Sequence, residues 1–114
     1  MKLATFSAFV SSIAVVRAAT SGQATWYQPN GGEGACGRAI QNGDLALALT
    51  TANYAGGENC GRRVKVQYNG KSIDAVVMDE CPGCQTNGLD LTEGTFQRLS
   101  GLDAGVIQVT WTYE

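Results

Sequence analysis

Four cysteines, a scatter of carboxylates and the complete absence of histidine bound the chemistry open to this 114-residue chain. Without histidine, neither a Ser-His nor a Cys-His nucleophile pair can form. Hydrolysis run on carboxyls alone needs two of them, one a proton donor with a raised pKa and one a base, held at a defined separation. Asp79 ends an apolar run, Asp90 precedes Thr92 by two residues, and both lie near glycine clusters. Each also has an ordinary structural use, Asp90 as a helix N-cap and Asp79 as a turn former. Glu80 reads as the solvated neighbour of Asp79. Cys36, Cys60, Cys81 and Cys84 are an even set, which in an oxidising compartment means two disulfides in one of three pairings. A four-thiolate zinc site usually has two Cys-x-x-Cys knuckles, and only Cys81 to Cys84 supplies one. No helix pattern starts at Cys84 to lower a thiol pKa for redox work. No metal and no cofactor is expected.

Short β-leaning runs must position these groups. They cover 24–28, 45–50, 64–68, 73–78 and 106–113, separated by glycine clusters at 31–37, 56–61 and 83–88. In the last run Ile107, Val109, Trp111 and Tyr113 alternate with polar residues, so one bulky face should point inward. Asn69-Gly70 between two runs predicts a two-residue hairpin, since both positions tolerate positive φ. Thr92 to Leu99 predicts a helix with Thr92 or Asp90 as N-cap and Gly101 just beyond its end. Residues 52–55 can add a helical turn. Many short strands with glycine-rich turns and one or two brief helices predict a small closed β-barrel.

The N-terminus reads as a leader: Lys2, an apolar stretch from Leu3 to Val16 without a polar stripe at helical spacing, then small residues at Ala18 and Ala19. It is too short to span a bilayer comfortably, and no second apolar run follows. A cut after Ala18, with Arg17 close beside it, divides the chain into a signal peptide, 1–18, and one secreted, extracellular domain, 19–114. The formal net charge of −2 becomes more negative once Lys2 and Arg17 are removed, which disfavours nucleic acid as a partner. A domain this small buries a modest core and benefits from disulfide staples. A monomer is expected, with no membrane association after cleavage. No Asn-x-Ser/Thr sequon occurs.

Five segments in order carry a family resemblance: Gly22-Gln23-Ala24-Thr25-Trp26-Tyr27, Gly34-Ala35-Cys36-Gly37, Asn59-Cys60-Gly61-Arg62-Arg63-Val64, the run from Val76 to Cys84, and Leu89-Asp90-Leu91-Thr92. In order and spacing they resemble the double-psi β-barrels of expansins and fungal loosenins, and more distantly rare-lipoprotein-A and family-45 endoglucanase domains. The resemblance covers 22–113 and implies a six-stranded double-psi barrel with one or two short helices. It places the family's required aspartate on Asp90, an earlier strand-end aspartate on Asp79 and a first-strand threonine on Thr25. It also favours Cys36 paired with Cys60 and Cys81 with Cys84. The implied partner is cell-wall polysaccharide, cellulose or chitin, loosened without hydrolysis through an Asp-lined groove. Similar barrels also act as protease inhibitors or effectors, and a weak glycoside hydrolase or lytic transglycosylase is the remaining alternative.

Aromatic rings match the apolar face of a pyranose, so Trp26, Tyr27, Tyr54 and Trp111 are candidates for sugar contacts. Trp26 and Tyr27 face opposite ways on one strand, so at most one of them can serve a groove. Plant expansins have histidine and phenylalanine before their Asp-Leu-Ser, where this chain has Gly88-Leu89; the difference favours the loosenin-like or bacterial side. Cys81 replaces an aromatic residue that some relatives carry two positions after the earlier aspartate. The second, cellulose-binding domain of expansins has no counterpart in this sequence.

Overall fold

A computed structural model describes residues 18–114. The expected leader, 1–18, lies outside the described residues apart from Ala18. The strands are β1 (Thr20–Tyr27), β2 (Ala46–Leu49), β3 (Arg63–Tyr68), β4 (Lys71–Glu80), β5 (Leu89–Thr92) and β6 (Ile107–Tyr113). They close a barrel in the order β1-β5-β2-β4-β3-β6. The β1/β5 and β2/β4 pairs are parallel and the other four are antiparallel. Closure leaves no free sheet edge, which matters for strands as short as β2 and β5.

Local chemistry accounts for the connections. Asn69 and Gly70 take φ of 49° and 76°, making the tight turn of the β3–β4 hairpin with Tyr68 opposite Lys71. Helix α1 (Thr51–Tyr54) starts where the Thr50 hydroxyl accepts from the Asn53 N–H. Helix α2 (Glu93–Gln97) is capped by Thr92, whose hydroxyl accepts from the Thr95 N–H. Asp90 is therefore not a cap; it lies within β5. Helix α2 drives Phe96 into the barrel end, and Leu99 follows it in the next turn; both are essentially fully buried. Inside, Leu47, Leu49, Val64, Val66, Val77 and Leu91 form the centre of the core. Ile107, Val109 and Trp111 of β6 join it, as their alternation predicts.

One irregularity sets the direction of a key side chain. Along β4, Ile73, Ala75 and Val77 point inward, and strict alternation would send Asp79 inward too. The β2–β4 register shifts instead between Leu47, opposite Val77, and Ala48, opposite Asp79. Met78 is the extra residue of a β-bulge, and its insertion turns Asp79 to the outer face. The Met78 carbonyl accepts from the Cys36 N–H at 3.2 Å, so the loop between β1 and β2 is fastened onto the bulge.

Both disulfides follow the pairing that the family resemblance implies. Cys36–Cys60 ties this loop to the turn before β3 across a separation of 24 residues, and Cys81–Cys84 closes a separation of 3. A cross-link mainly restricts the unfolded chain, by more when the loop is longer. Replacing Cys36 and Cys60 with serine should lower the unfolding free energy by about 3 kcal/mol, and the same change at Cys81 and Cys84 by about 2 kcal/mol or less. Urea unfolding of the two double variants would contradict this if the short loop mattered more.

Candidate functional site

The site is a row of outward-facing residues that crosses four strands. Thr25 on β1 stands opposite Asp90 on β5, Asp90 opposite Ala48 on β2, and Ala48 opposite Asp79 on β4. Register partners share a face, so Thr25, Asp90 and Asp79 lie on one side of the barrel wall. The two aspartates are separated by two strand spacings, about 10 Å between Cα atoms. Ala48, only 2% exposed, separates them with a single methyl.

Asp79 is held from three directions. Its Oδ1 accepts from the backbone N–H groups of Ala35 at 2.8 Å and Glu80 at 2.9 Å, and its Oδ2 accepts from the Tyr27 hydroxyl at 3.0 Å. Gly34 makes this possible, because a Cβ there would collide with the Met78 carbonyl oxygen and sit 2.6 Å from Ile40 Cδ1. Burial, and then the hydrogen bond to Asp79, push the Tyr27 phenol well above its usual range, so it stays a donor.

Asp90 is placed differently. Its Oδ1 accepts from the Thr25 hydroxyl at 2.9 Å, and its other oxygen has no hydrogen-bond partner among the described residues. Burial raises its pKa above the ordinary aspartate value of 3.8; the Thr25 hydrogen bond opposes this, and the charge of Asp79 adds to it. One carboxyl is thus tied into the scaffold and the other is half-buried with an oxygen left over. Beside Thr25, a cavity of about 230 Å³ runs along Gln23, Leu89 and the Cys81–Cys84 loop. Among the described residues, no group of three or more His, Cys, Asp or Glu could hold a metal ion.

A protein family described as lytic transglycolase matches residues 19–111. The chain belongs to this family of double-psi β-barrels. Among its relatives is the papain inhibitor of Streptomyces mobaraensis, 36% identical over 101 residues, covering 82% of this chain and 70% of the relative. The solved Streptomyces papain inhibitor superposes with a TM-score of 0.75 at 31% identity, covering 87% of this chain and 96% of that one. An expansin of Clavibacter michiganensis, an aspartate-to-asparagine variant in complex with cellohexaose, gives a TM-score of 0.79 at 27% identity, over 85% of this chain and 50% of the expansin. An allergen homologue of Arthroderma benhamiae is 39% identical over 84 residues, 69% of this chain but only 28% of the relative. The family is one of cell-wall-related barrels that also includes an inhibitor of a protease.

The aromatic candidates separate by position. Tyr27 shares the outer face with Thr25 and reaches Asp79. Trp26 is turned the other way, packs against the core and donates its indole N–H to the Leu102 carbonyl. Trp111 is 2% exposed and donates to the Asn87 carbonyl, so it is a core residue and not a sugar platform. The Tyr54 hydroxyl donates to the Ala35 carbonyl, bracing the loop that holds Asp79. Ala35, Gly34 and Ala48 complete the site through backbone or small size, properties that gave them no chemical signal in the sequence.

Two outcomes follow. Gly34→Ala should cost about 2 kcal/mol in urea unfolding, because the clash is with backbone that cannot swing away. The raised Asp90 pKa means that the folded protein holds this proton to higher pH than the unfolded chain. The associated stability is complete below 3.8 and is lost as pH rises through the folded value. Measured over a pH series, native protein should therefore lose stability relative to Asp90→Asn as pH climbs from 3.8 towards neutrality. A flat difference would remove burial of Asp90 as the cause.

Proposed function

We propose that the chain is a secreted protein that binds and loosens cell-wall polysaccharide without cutting it, with Asp90 as its principal contact. The observation carrying this reading is the unequal use of the two carboxyls. Two-carboxyl hydrolysis needs a second carboxyl free to act as base or nucleophile. Both oxygens of Asp79 are engaged by Ala35, Glu80 and Tyr27. Asp90 keeps an open oxygen able to accept from a sugar hydroxyl, and a charge-assisted hydrogen bond to a half-buried carboxylate is among the stronger single contacts. Thr25 orients Asp90, and Tyr27 fixes the far end of the row. The likeness to an expansin in complex with cellohexaose supports an extended glucan as the ligand class. The two disulfides suit an oxidising compartment, as secretion requires.

A second reading rests on a specific similarity, that to the papain inhibitor over most of both chains. On that reading the barrel presents a loop surface to a cysteine protease, and the Asp90 row is bystander structure.

Asp90→Asn keeps the shape and removes the charged acceptor. Weakening of cellulose or chitin sheets by the purified protein should fall at least about tenfold, the equivalent of one charge-assisted contact, with no reducing ends released by either form. Unchanged weakening would discard the proposal. Stoichiometric papain inhibition by both forms, with no glycan bound, would establish the second reading instead.

A further inference from the structure

The barrel carries a second cross-strand row, remote from Asp90. Ser21 on β1 stands opposite Thr110 on β6, Thr110 opposite Gln67 on β3, and Gln67 opposite Ser72 on β4. Gln108 flanks it, two residues before Thr110 on the same face of β6. These five residues and Lys71 line a cavity of about 590 Å³, more than twice the volume of the one beside Thr25. Strands β1 and β4 belong to both rows, which occupy their opposite ends. Ser21 and Thr25 are about 13 Å apart along β1, and Ser72 and Asp79 lie at the two ends of β4.

The chemistry of this row differs from that of the first. It contains hydroxyls and carboxamides, one cation in Lys71, and no carboxylate. Apart from Thr110, which is half-buried, these side chains are exposed, and none makes a hydrogen bond among the described residues. A carboxamide offers a donor and an acceptor from one rigid group, which suits adjacent hydroxyls on a sugar ring. Neighbouring members of the row are separated by the inter-strand spacing of about 4.8 Å, close to the advance of one sugar unit in an extended chain. Within this lining a single lysine supplies little charge for an anionic partner and no carboxylate is present for a basic one, so a neutral partner fits better.

We infer that this face is a second binding site for an extended, uncharged glycan, built from Ser21, Thr110, Gln67 and Ser72. It stands independently of the Asp90 site. With both sites filled, one barrel holds two polysaccharide chains at opposite ends of β1 and β4. Lacking a carboxylate, the second site binds without the pH dependence that Asp90 imposes on the first.

The test is a titration of the isotopically labelled full domain with cellohexaose and with chitohexaose, following the side-chain amide resonances of Gln67 and Gln108. They should shift saturably with at least one of the two sugars, and equally in the native and Asp90→Asn proteins. Gln67→Ala combined with Thr110→Val should weaken that response about five- to tenfold, as loss of one or two hydrogen bonds predicts. The Thr25 and Asp90 backbone resonances should respond as before. Resonances at Gln67 and Gln108 that stay still while those at Thr25 and Asp90 move would overturn the second site alone. Movement lost in Asp90→Asn would show that the two are one site, and a response to papain but to neither sugar would assign the face to a protein.

Discussion

The β-bulge at Met78 is the constraint on which the candidate site depends. A regular strand would bury Asp79 beside Leu49, where an ionised carboxylate is costly and would force its neighbours apart. One inserted residue reverses the alternation, and the carboxyl emerges on the outer face opposite Ala48. The loop carrying Gly34, Ala35 and Cys36 then locks this arrangement from outside. Cys36 donates to the Met78 carbonyl, Ala35 donates to Asp79, and the disulfide to Cys60 anchors the loop itself. Each of these contacts restrains the bulge from a different side.

Around this anchor the two aspartates divide the work by environment. Both are outward-facing, yet Asp79 meets three donors and Asp90 meets one. A carboxyl surrounded by donors is a structural centre; the half-buried Asp90, with one oxygen unused among the described residues, is the one left open for the contact proposed above. Tyr27 belongs to the first group and Thr25 to the second, although they are two residues apart on one strand.

The sequence carries most of the barrel but not its finest adjustment. The hairpin at Asn69-Gly70, the inward face of β6 and the Thr92 cap are legible because each rests on local chemistry. Strand β5 is not, since four residues are too few for alternation to register and its pairing partners are distant in sequence. β4 reads two residues short at each end: Lys71 and Ser72 look like part of the hairpin turn, and the bulge at Met78 breaks the period before Asp79 and Glu80. The expected roles of Asp79, Asp90 and Thr25 come from family resemblance; residue types alone favour Asp90 as the cap of α2, a place that Thr92 takes instead. Trp111 carries two conflicting signals, a ring suited to a sugar face and an inward position in the alternation of β6, and the alternation decides: it is buried in the core.

The Thr25–Asp90 hydrogen bond spans 65 residues, and the Tyr27–Asp79 bond spans 52. Neither can form until the parallel pairing of β1 with β5 is complete, and such distant parallel pairing is slow to find because loop closure must come before its reward. The outer row is therefore among the last features to assemble as the chain folds. A partly folded chain that holds the β3–β4 hairpin and much of the core still lacks the Thr25–Asp90–Asp79 row. A ligand held by that row, as proposed above, would bind the finished barrel alone and add its own free energy to that state.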